Sequence, residues 1–299
     1  MPWSGGFLTA DLGCDRLQKV AGYHLSGLSL VDADFTQLVG GLEQPPRQMR
    51  AHCEECVSNI SRESENEAVK RTLESSYCPE PIRQARERQD RIRSERLRHG
   101  PYKIADIGCG NGYHAVMFAP FSLLYHGFEI SSAIAESARA LWQKENIDNA
   151  QVFVGDAAEV ELEDEFYNVV LCLYCTPGNF RDKSDDLGLY SDAYLDRNPR
   201  FIRVVSRFYQ AMKIGGAMFL TIYKDVPEAE AAQIDFYENT GQHVVTPPGS
   251  RFMATAEGFW SVRWTQDSML SNLSECGISP DDVVFNGLNA IAWLVEIKK

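Results

Sequence analysis

Asp106 closes a short apolar run, and glycines follow it at alternate positions, Gly108, Gly110 and Gly112, within the stretch IADIGCGNGYH. An acid beside a backbone this bare lets a small ligand reach the main chain, with a carboxylate ready to accept its hydrogens. Two further acids hold matching places downstream. Glu129 closes LLYHGFEIS, one helix and one strand past the last glycine, and Asp156 closes AQVFVGDAAE. Taken singly, an acid at a strand end is a turn former or a helix cap. Three at the ends of successive strands stand where an open sheet collects ligands.

The elements that must position these acids follow from the patterning. Apolar runs near 103–107, 124–129, 151–155, 167–174 and 216–223 read as strands, alternating with amphipathic helices near 112–119, 131–145 and 197–213. That alternation is the mark of strand–helix–strand units and a parallel sheet. The final third differs. DVPEAEAAQIDFYENTG reads as a helix, HVVT and GFWSVRW as short strands of an inserted hairpin, together a lid over about 224–264. TQDSMLSNLSECG is a helix capped by Thr265 and stopped at Gly277, and DVVFNGLNAIAWLVEIKK is a pair of β-rich runs about a turn. Residues 1–99 show mostly helical patterns and are expected to form a cap on the substrate side, ahead of a ligand-binding domain over 100–299. Within them, the arginine-rich run from Ile82 to Gly100 reads as a solvated helix laced with ion pairs three and four residues apart.

Several ligands use glycine-rich loops. A dinucleotide fingerprint places a third small residue where this chain has Tyr113, and a phosphate-binding P-loop ends in a G-K-[ST] that is absent here. The pattern D-x-G-x-G-x-G resembles the first motif of the class I S-adenosylmethionine-dependent methyltransferases. The resemblance covers roughly residues 100–299 and is strongest over 103–180. It implies an α/β, Rossmann-like, mostly parallel seven-stranded open sheet with helices on both faces. It also implies S-adenosylmethionine as methyl donor and S-adenosylhomocysteine as product. By resemblance, Asp106 faces the amino end of the donor and the loop Gly108, Cys109, Gly110, Asn111 and Gly112 admits it. Glu129, with Ile130 beside it, accepts the ribose hydroxyls; Asp156 accepts the adenine amine while Ala157 contributes a backbone amide; and Leu173 ends the fourth strand against the donor.

The loop after that strand, Thr176-Pro177-Gly178-Asn179-Phe180, departs from the [N/D/S]-P-P-[Y/F] tetrad of enzymes that methylate adenine or amide nitrogens. It resembles instead the T-x-G-N-F/L loop of several small-molecule methyltransferases, including some that methylate the amino group of an amino acid. Asn179 is then expected to hold the acceptor amine, with Tyr174 positioning it and Phe180, Tyr190, Tyr223 and Trp260 forming aromatic walls that exclude water and attract a cation. His114 is expected to pack beside the donor, and no dedicated base set is evident. Alternatives are a hydroxyl or carboxylate acceptor, an RNA or protein acceptor using the Arg83–Arg98 helix, a non-catalytic binding module, and a nicotinamide oxidoreductase.

The totals bound the choice. The 299 residues carry a formal charge of −13, against a protein built to hold phosphate backbones, so the expected partner is a small molecule and not nucleic acid. No apolar run approaches the roughly 18–20 residues of a membrane span, and the N-terminus shows no secretory leader, so a cytoplasmic location is expected. The eight cysteines are read as thiols. Cys53/Cys56 and Cys172/Cys175 have metal-ligand spacing, but the second pair lies in a buried strand, and no metal is expected.

Overall fold

A computed structural model describes residues 67–181 and 195–299. In chain order these give α1 (Glu80–Leu97), β1 (Tyr102–Ile107), α2 (Tyr113–Phe118), β2 (Ser122–Glu129), α3 (Ser132–Lys144), β3 (Ala150–Val154) and β4 (Tyr167–Cys172). There follow α4 (Pro199–Ala211), β5 (Met212–Tyr223), α5 (Pro227–Asn239), β6 (Phe252–Ala254), β7 (Trp260–Val262), α6 (Gln266–Glu275), β8 (Val283–Gly287) and β9 (Ala292–Lys298). Seven strands form one sheet in the order β3-β2-β1-β4-β5-β9-β8, and β6 pairs with β7 apart from it. The first five of that order are parallel, while β9 runs antiparallel to both β5 and β8. The chain builds outward from β1 to β3 and then returns to lay β4 on the other side of β1. The switch point of this open sheet therefore lies between β1 and β4, where their carboxyl ends leave a crevice.

Both faces of the sheet are covered, which is why its strands read as nearly continuous apolar runs. β4 shows the alternation: Val169, Leu171 and Leu173 join the core under α1, α3 and α5, whereas Val170 and Cys172 join the core under α4 and α6. Local signals set the helix starts. The Ser131 hydroxyl accepts from the Ile134 amide ahead of α3, Asn198 accepts from Phe201 ahead of α4 with Pro199 at the first position, and Thr265 and Ser268 form a reciprocal capping box on α6. Gly277 stops that helix in the left-handed region, as expected.

Three expectations are revised. HVVT forms no strand: the hairpin pairs Phe252–Ala254 with Trp260–Val262, and Val244 makes only an isolated bridge to Thr255. The division expected at residue 99 runs through a packed core, because Ile82, Ala85 and Leu97 of α1 are buried together with Phe118, Tyr125 and Trp142. And α1 is solvated on one side only. Arg83 pairs with Glu80 and Glu87 on the outer face, while Gln89 and Arg93 are fully buried. Inward contacts fix the helix: the Thr221 hydroxyl of β5 donates to Gln89, and Arg96 pairs with the buried Glu296 of β9. Residues 1–66 of the expected cap lie outside the described residues.

Candidate active site

The carboxyl end of β1 delivers Asp106, opposite Gly127 of β2 and Leu171 of β4. Its side chain is buried and accepts a hydrogen bond from the Tyr125 hydroxyl at 2.5 Å. Burial pushes its carboxyl up, with His114, the Tyr125 hydroxyl and Arg93 pulling the other way. Such a carboxyl ionises most readily when a ligand brings a positive charge to it.

Gly108, Gly110 and Gly112 all have positive φ. A Cβ on Gly108 would lie 2.5 Å from the Thr176 methyl, and one on Gly112 would lie 2.4 Å from the Trp142 indole nitrogen, which donates to the Gly112 carbonyl at 2.8 Å. The loop is thus clamped to α3 and to the turn after β4. Glu129 completes it from β2: one carboxylate oxygen accepts the Gly110 amide at 3.1 Å and the other the Ser131 amide at 2.9 Å. Burial raises this carboxyl too, against those backbone hydrogen bonds. Ile130, next to it, leaves 53% of its surface exposed, an apolar face open at the sheet's edge. A cavity of about 200 Å³ opens beside the loop, between Asn111, the α3 residues Ile134, Ser137 and Leu141, and Lys70, Leu73 and Glu74 of the helical stretch 67–74.

At the end of β3, Asp156 accepts the Ala158 amide at 2.9 Å and pairs with the guanidinium of Arg200 from α4, a partner the sequence reading missed. Its oxygens are shared, and Ala157 beside it is partly buried.

β4 ends abruptly. Tyr174 and Cys175 are consecutive non-glycine residues at φ 50° and 67°, a strained pair of the kind that persists where surrounding structure over-determines it. Here the surroundings are Thr176, whose hydroxyl donates to the Leu173 carbonyl at 2.7 Å, and Asp90 of α1, which accepts the Tyr174 phenol at 2.8 Å. Asp90 also accepts from Arg93 at 3.0 Å and from Gln89 at 3.1 Å. Burial pushes the Asp90 carboxyl up, and its contacts with His114, Gln89 and Arg93 pull harder the other way, so it ends below its ordinary value. His114 lies between two acids, its Nε2 3.7 Å from Asp90 and its Nδ1 3.9 Å from Asp106, with its ring edge-on to Tyr174 at 4.5 Å. Burial pushes Arg93 down to about 10.

The turn Thr176–Asn179 is one of 3-10 type. Gly178 is obligatory, since a Cβ there would meet the Val262 carbonyl at 2.7 Å. Asn179 is half-buried at the end of that turn. The aromatic walls divide. Tyr223, at the end of β5, lies in the core with residues of α1 and α5, while Tyr174, just past β4, is half-buried and bonded to Asp90 of α1. Trp260 lies apart from them: it is 1% exposed within the opposite core, beside Phe252. Phe180 turns the same way, 6.4 Å from the Phe201 ring, so it too faces that core. Tyr190 lies outside the described residues.

The largest omission of the sequence reading is α1, which supplies Asp90, Arg93, Gln89 and Arg86 to the site. A signal was present: Ile82, Ala85, Gln89, Arg93 and Leu97 recur at helical spacing, a buried stripe continued through polar residues. No helix among the described residues is long and apolar enough to cross a membrane, and no group of three or more His, Cys, Asp or Glu among them could hold a metal.

Residues 104–189 match a family described as a methyltransferase domain. An uncharacterized methyltransferase of Bacillus subtilis (strain 168), YcgJ, is 25% identical over 73 residues, 24% of this chain and 29% of that protein, so the match spans under a third of the relative's length. A solved S-adenosylmethionine-dependent methyltransferase from Methanosarcina mazei is 14% identical, with 68% of this chain and 95% of that one covered at a TM-score of 0.47. The PH0226 protein of Pyrococcus horikoshii OT3 is 13% identical, over 74% of this chain and 92% of that one, at a TM-score of 0.48.

Proposed function

We infer, from a chain whose residues 104–189 match a methyltransferase domain family, that the protein transfers a methyl group from S-adenosylmethionine to a small molecule, at the nitrogen of an amine or amino acid. One observation carries this reading. At the switch point between β1 and β4, two buried carboxylates, Asp106 and Glu129, flank a loop that three positive-φ glycines keep free of side chains. That donor set fits the group: Asp106 for an ammonium, Glu129 for paired ribose hydroxyls, exposed Ile130 for a flat ring, and Asp156 with the Ala157 amide for the ring's edge. The bound donor supplies an electrophilic methyl on a sulfonium. The chain's own work is to place an acceptor lone pair in line with it and to keep water out.

Tyr174 and Cys175 turn the chain away from β4 where the acceptor has to stand, and Asp90 fixes the Tyr174 phenol so that its ring cannot swing. Asn179, half-buried at the end of the next turn, is the acceptor contact in this reading, its amide oxygen taking a hydrogen from the amine. A neutral amine needs no base, since its proton leaves to solvent after transfer. Calorimetric titration with S-adenosylmethionine, S-adenosylhomocysteine and NADH, followed by mass spectrometry on a panel of amines and amino acids, tests this. Binding of both sulfur ligands and a mass gain of one methyl on a panel member is the expected result. Binding of NADH alone would remove the reading.

One observation favours a hydroxyl acceptor as the second reading. His114 Nε2 is buried, makes no hydrogen bond among the described residues, and lies beside both Asp90 and Tyr174, as a proton acceptor for a hydroxyl would. His114→Gln separates the two: amine methylation survives it, whereas hydroxyl methylation falls about 10²-fold or more.

A further inference from the structure

Among the described residues, Arg86 is a half-buried arginine of α1 that no carboxylate pairs with. Arg93 is tied to Asp90, Arg200 to Asp156, and Arg251 and Arg263 to Asp225. The guanidinium of Arg86 instead lies 4.6 Å from the centre of the Tyr174 ring and 5.3 Å from that of Phe236, with one nitrogen 3.9 Å from the Cys78 sulfur. Among the described residues no carboxylate pairs with it. This is in a chain with 42 acidic against 29 basic residues, so the lack is not one of supply. Burial works against its charge, while Tyr223, Cys78, Tyr174 and Cys175, phenols and thiols and not acids, favour it, so its pKa ends above the ordinary arginine value.

Its place in the fold narrows what it is for. Tyr174 and Cys175 follow β4, Tyr223 ends β5, and Phe236 and Tyr237 lie on α5, so Arg86 reaches from α1 over the carboxyl ends of the two strands on the acceptor side of the switch point. Tyr223 and Tyr237 are buried, and the Tyr237 ring packs against Phe259 at 4.6 Å. A guanidinium held between aromatic faces is oriented but not neutralised, because ring faces attract a cation without ending its demand for an anion. Its planar fork fits a carboxylate with two parallel hydrogen bonds.

We propose that Arg86 is the recognition residue for a carboxylate on the methyl acceptor, so that the substrate is an amino acid or other amine bearing an acid, held by its anionic end between Arg86 and the aromatic side chains of β4, β5 and α5. The proposal rests on the methyltransferase reading and narrows it: a simple amine offers Arg86 nothing, and leaving a partly buried guanidinium unpaired is costly. The proposal fits the amine contact assigned to Asn179, since the two ends of one amino acid then have separate partners.

The test uses the full chain saturated with S-adenosylhomocysteine, in a thermal-shift titration against matched pairs: glycine and methylamine, phenylalanine and phenethylamine, histidine and histamine, tyrosine and tyramine. Phosphoethanolamine is added to ask whether a phosphate serves instead. The wild type, Arg86→Gln and Arg86→Lys are compared. We expect at least one carboxylate-bearing member to stabilise the wild type where its decarboxylated partner does not. Its apparent affinity should weaken by about 100-fold in Arg86→Gln and about 10-fold in Arg86→Lys, which keeps the charge but loses the fork. The shift produced by S-adenosylhomocysteine itself should persist in both variants, showing that they fold. The proposal is overturned if no acid stabilises the wild type, if the pairs are indistinguishable, if Arg86→Gln responds like the wild type, or if only phosphoethanolamine binds. Failure of S-adenosylhomocysteine to stabilise any form would instead count against the methyltransferase reading.

Discussion

Replacing Glu129 by glutamine changes one atom and should disable the donor site. A carboxylate offers about four lone-pair positions. The Gly110 and Ser131 amides take one on each oxygen and the Ile130 amide also acts on the carboxylate, and what remains is open to neighbouring hydroxyls. Glutamine keeps the shape but has a single accepting oxygen. Whichever way the amide turns, its NH₂ faces one of those two backbone N–H groups. In the free protein this leaves an orphaned donor, at a cost of about 1–3 kcal/mol. In the complex at least one hydroxyl loses a bond to a charged acceptor, and the other gains only a neutral one. With each such bond at about 1.5–3 kcal/mol and about 1.4 kcal/mol per tenfold, affinity for S-adenosylhomocysteine should fall by roughly 10²–10³-fold. Isothermal calorimetry on the full chain reads the affinity, and urea unfolding run alongside reads the stability. Glu136→Gln is the control, because that glutamate is exposed and pairs only with Arg139 on the surface of α3. If Glu129→Gln, shown to be folded, binds the ligand within about threefold of wild type, this carboxylate is not the hydroxyl acceptor and the assignment of the loop falls with it.

Other outcomes can be stated from the same geometry. Gly112→Ala must accommodate φ 78° and a Cβ 2.4 Å from the Trp142 nitrogen, so urea unfolding should show a loss of about 3 kcal/mol; a loss under about 0.5 kcal/mol would mean the loop relaxes freely. Tyr174→Phe removes the 2.8 Å bond to the ionised Asp90 while leaving Arg93 and Gln89 in place, and should cost about 1.5–3 kcal/mol of stability; unchanged unfolding would show that this bond fixes nothing. Burial raises the carboxyls of both Asp106 and Glu129, so the stability they contribute to the free protein is fully present below the unfolded carboxyl value of about 4 and is lost as pH rises through their raised folded values. The donor's ammonium and hydroxyls favour the ionised forms, so its binding should release protons and strengthen as pH rises across that window. Calorimetry in buffers of differing ionisation heat would detect this, and an affinity flat across the window would contradict it.

What the sequence disclosed was whatever repeats along the chain. The glycines, the acids at three strand ends and the alternation of Val169 to Leu173 each announce themselves through local spacing, and the structure places them along one edge of the sheet. What it concealed depends on which way a helix faces. α1 carries so many charges that its buried stripe was drowned by its surface one, and Asp90, Arg86 and Arg93 become site residues only once the helix lies across the sheet. Trp260 illustrates the opposite case. An aromatic near a presumed lid suggests a substrate wall, but the short β7 alternates under its own hairpin, and Trp260 and Val262 point into the core beside Trp264.

The sheet order also separates the part of this protein that is recognisable from the part that is self-sufficient. The family match stops at residue 189, after β4, yet β4 lies mid-sheet, its register with β5 running from Tyr167 opposite Met212 to Cys172 opposite Leu220. A fragment ended there would expose a full edge of unpaired amides and carbonyls along an apolar strand, without α1 and α5 on one face and α4 and α6 on the other. Such an edge is a template for further strands, and the fragment should self-associate and precipitate. A recombinant piece cut to the bounds of its sequence similarity would then be insoluble for a reason unrelated to its chemistry.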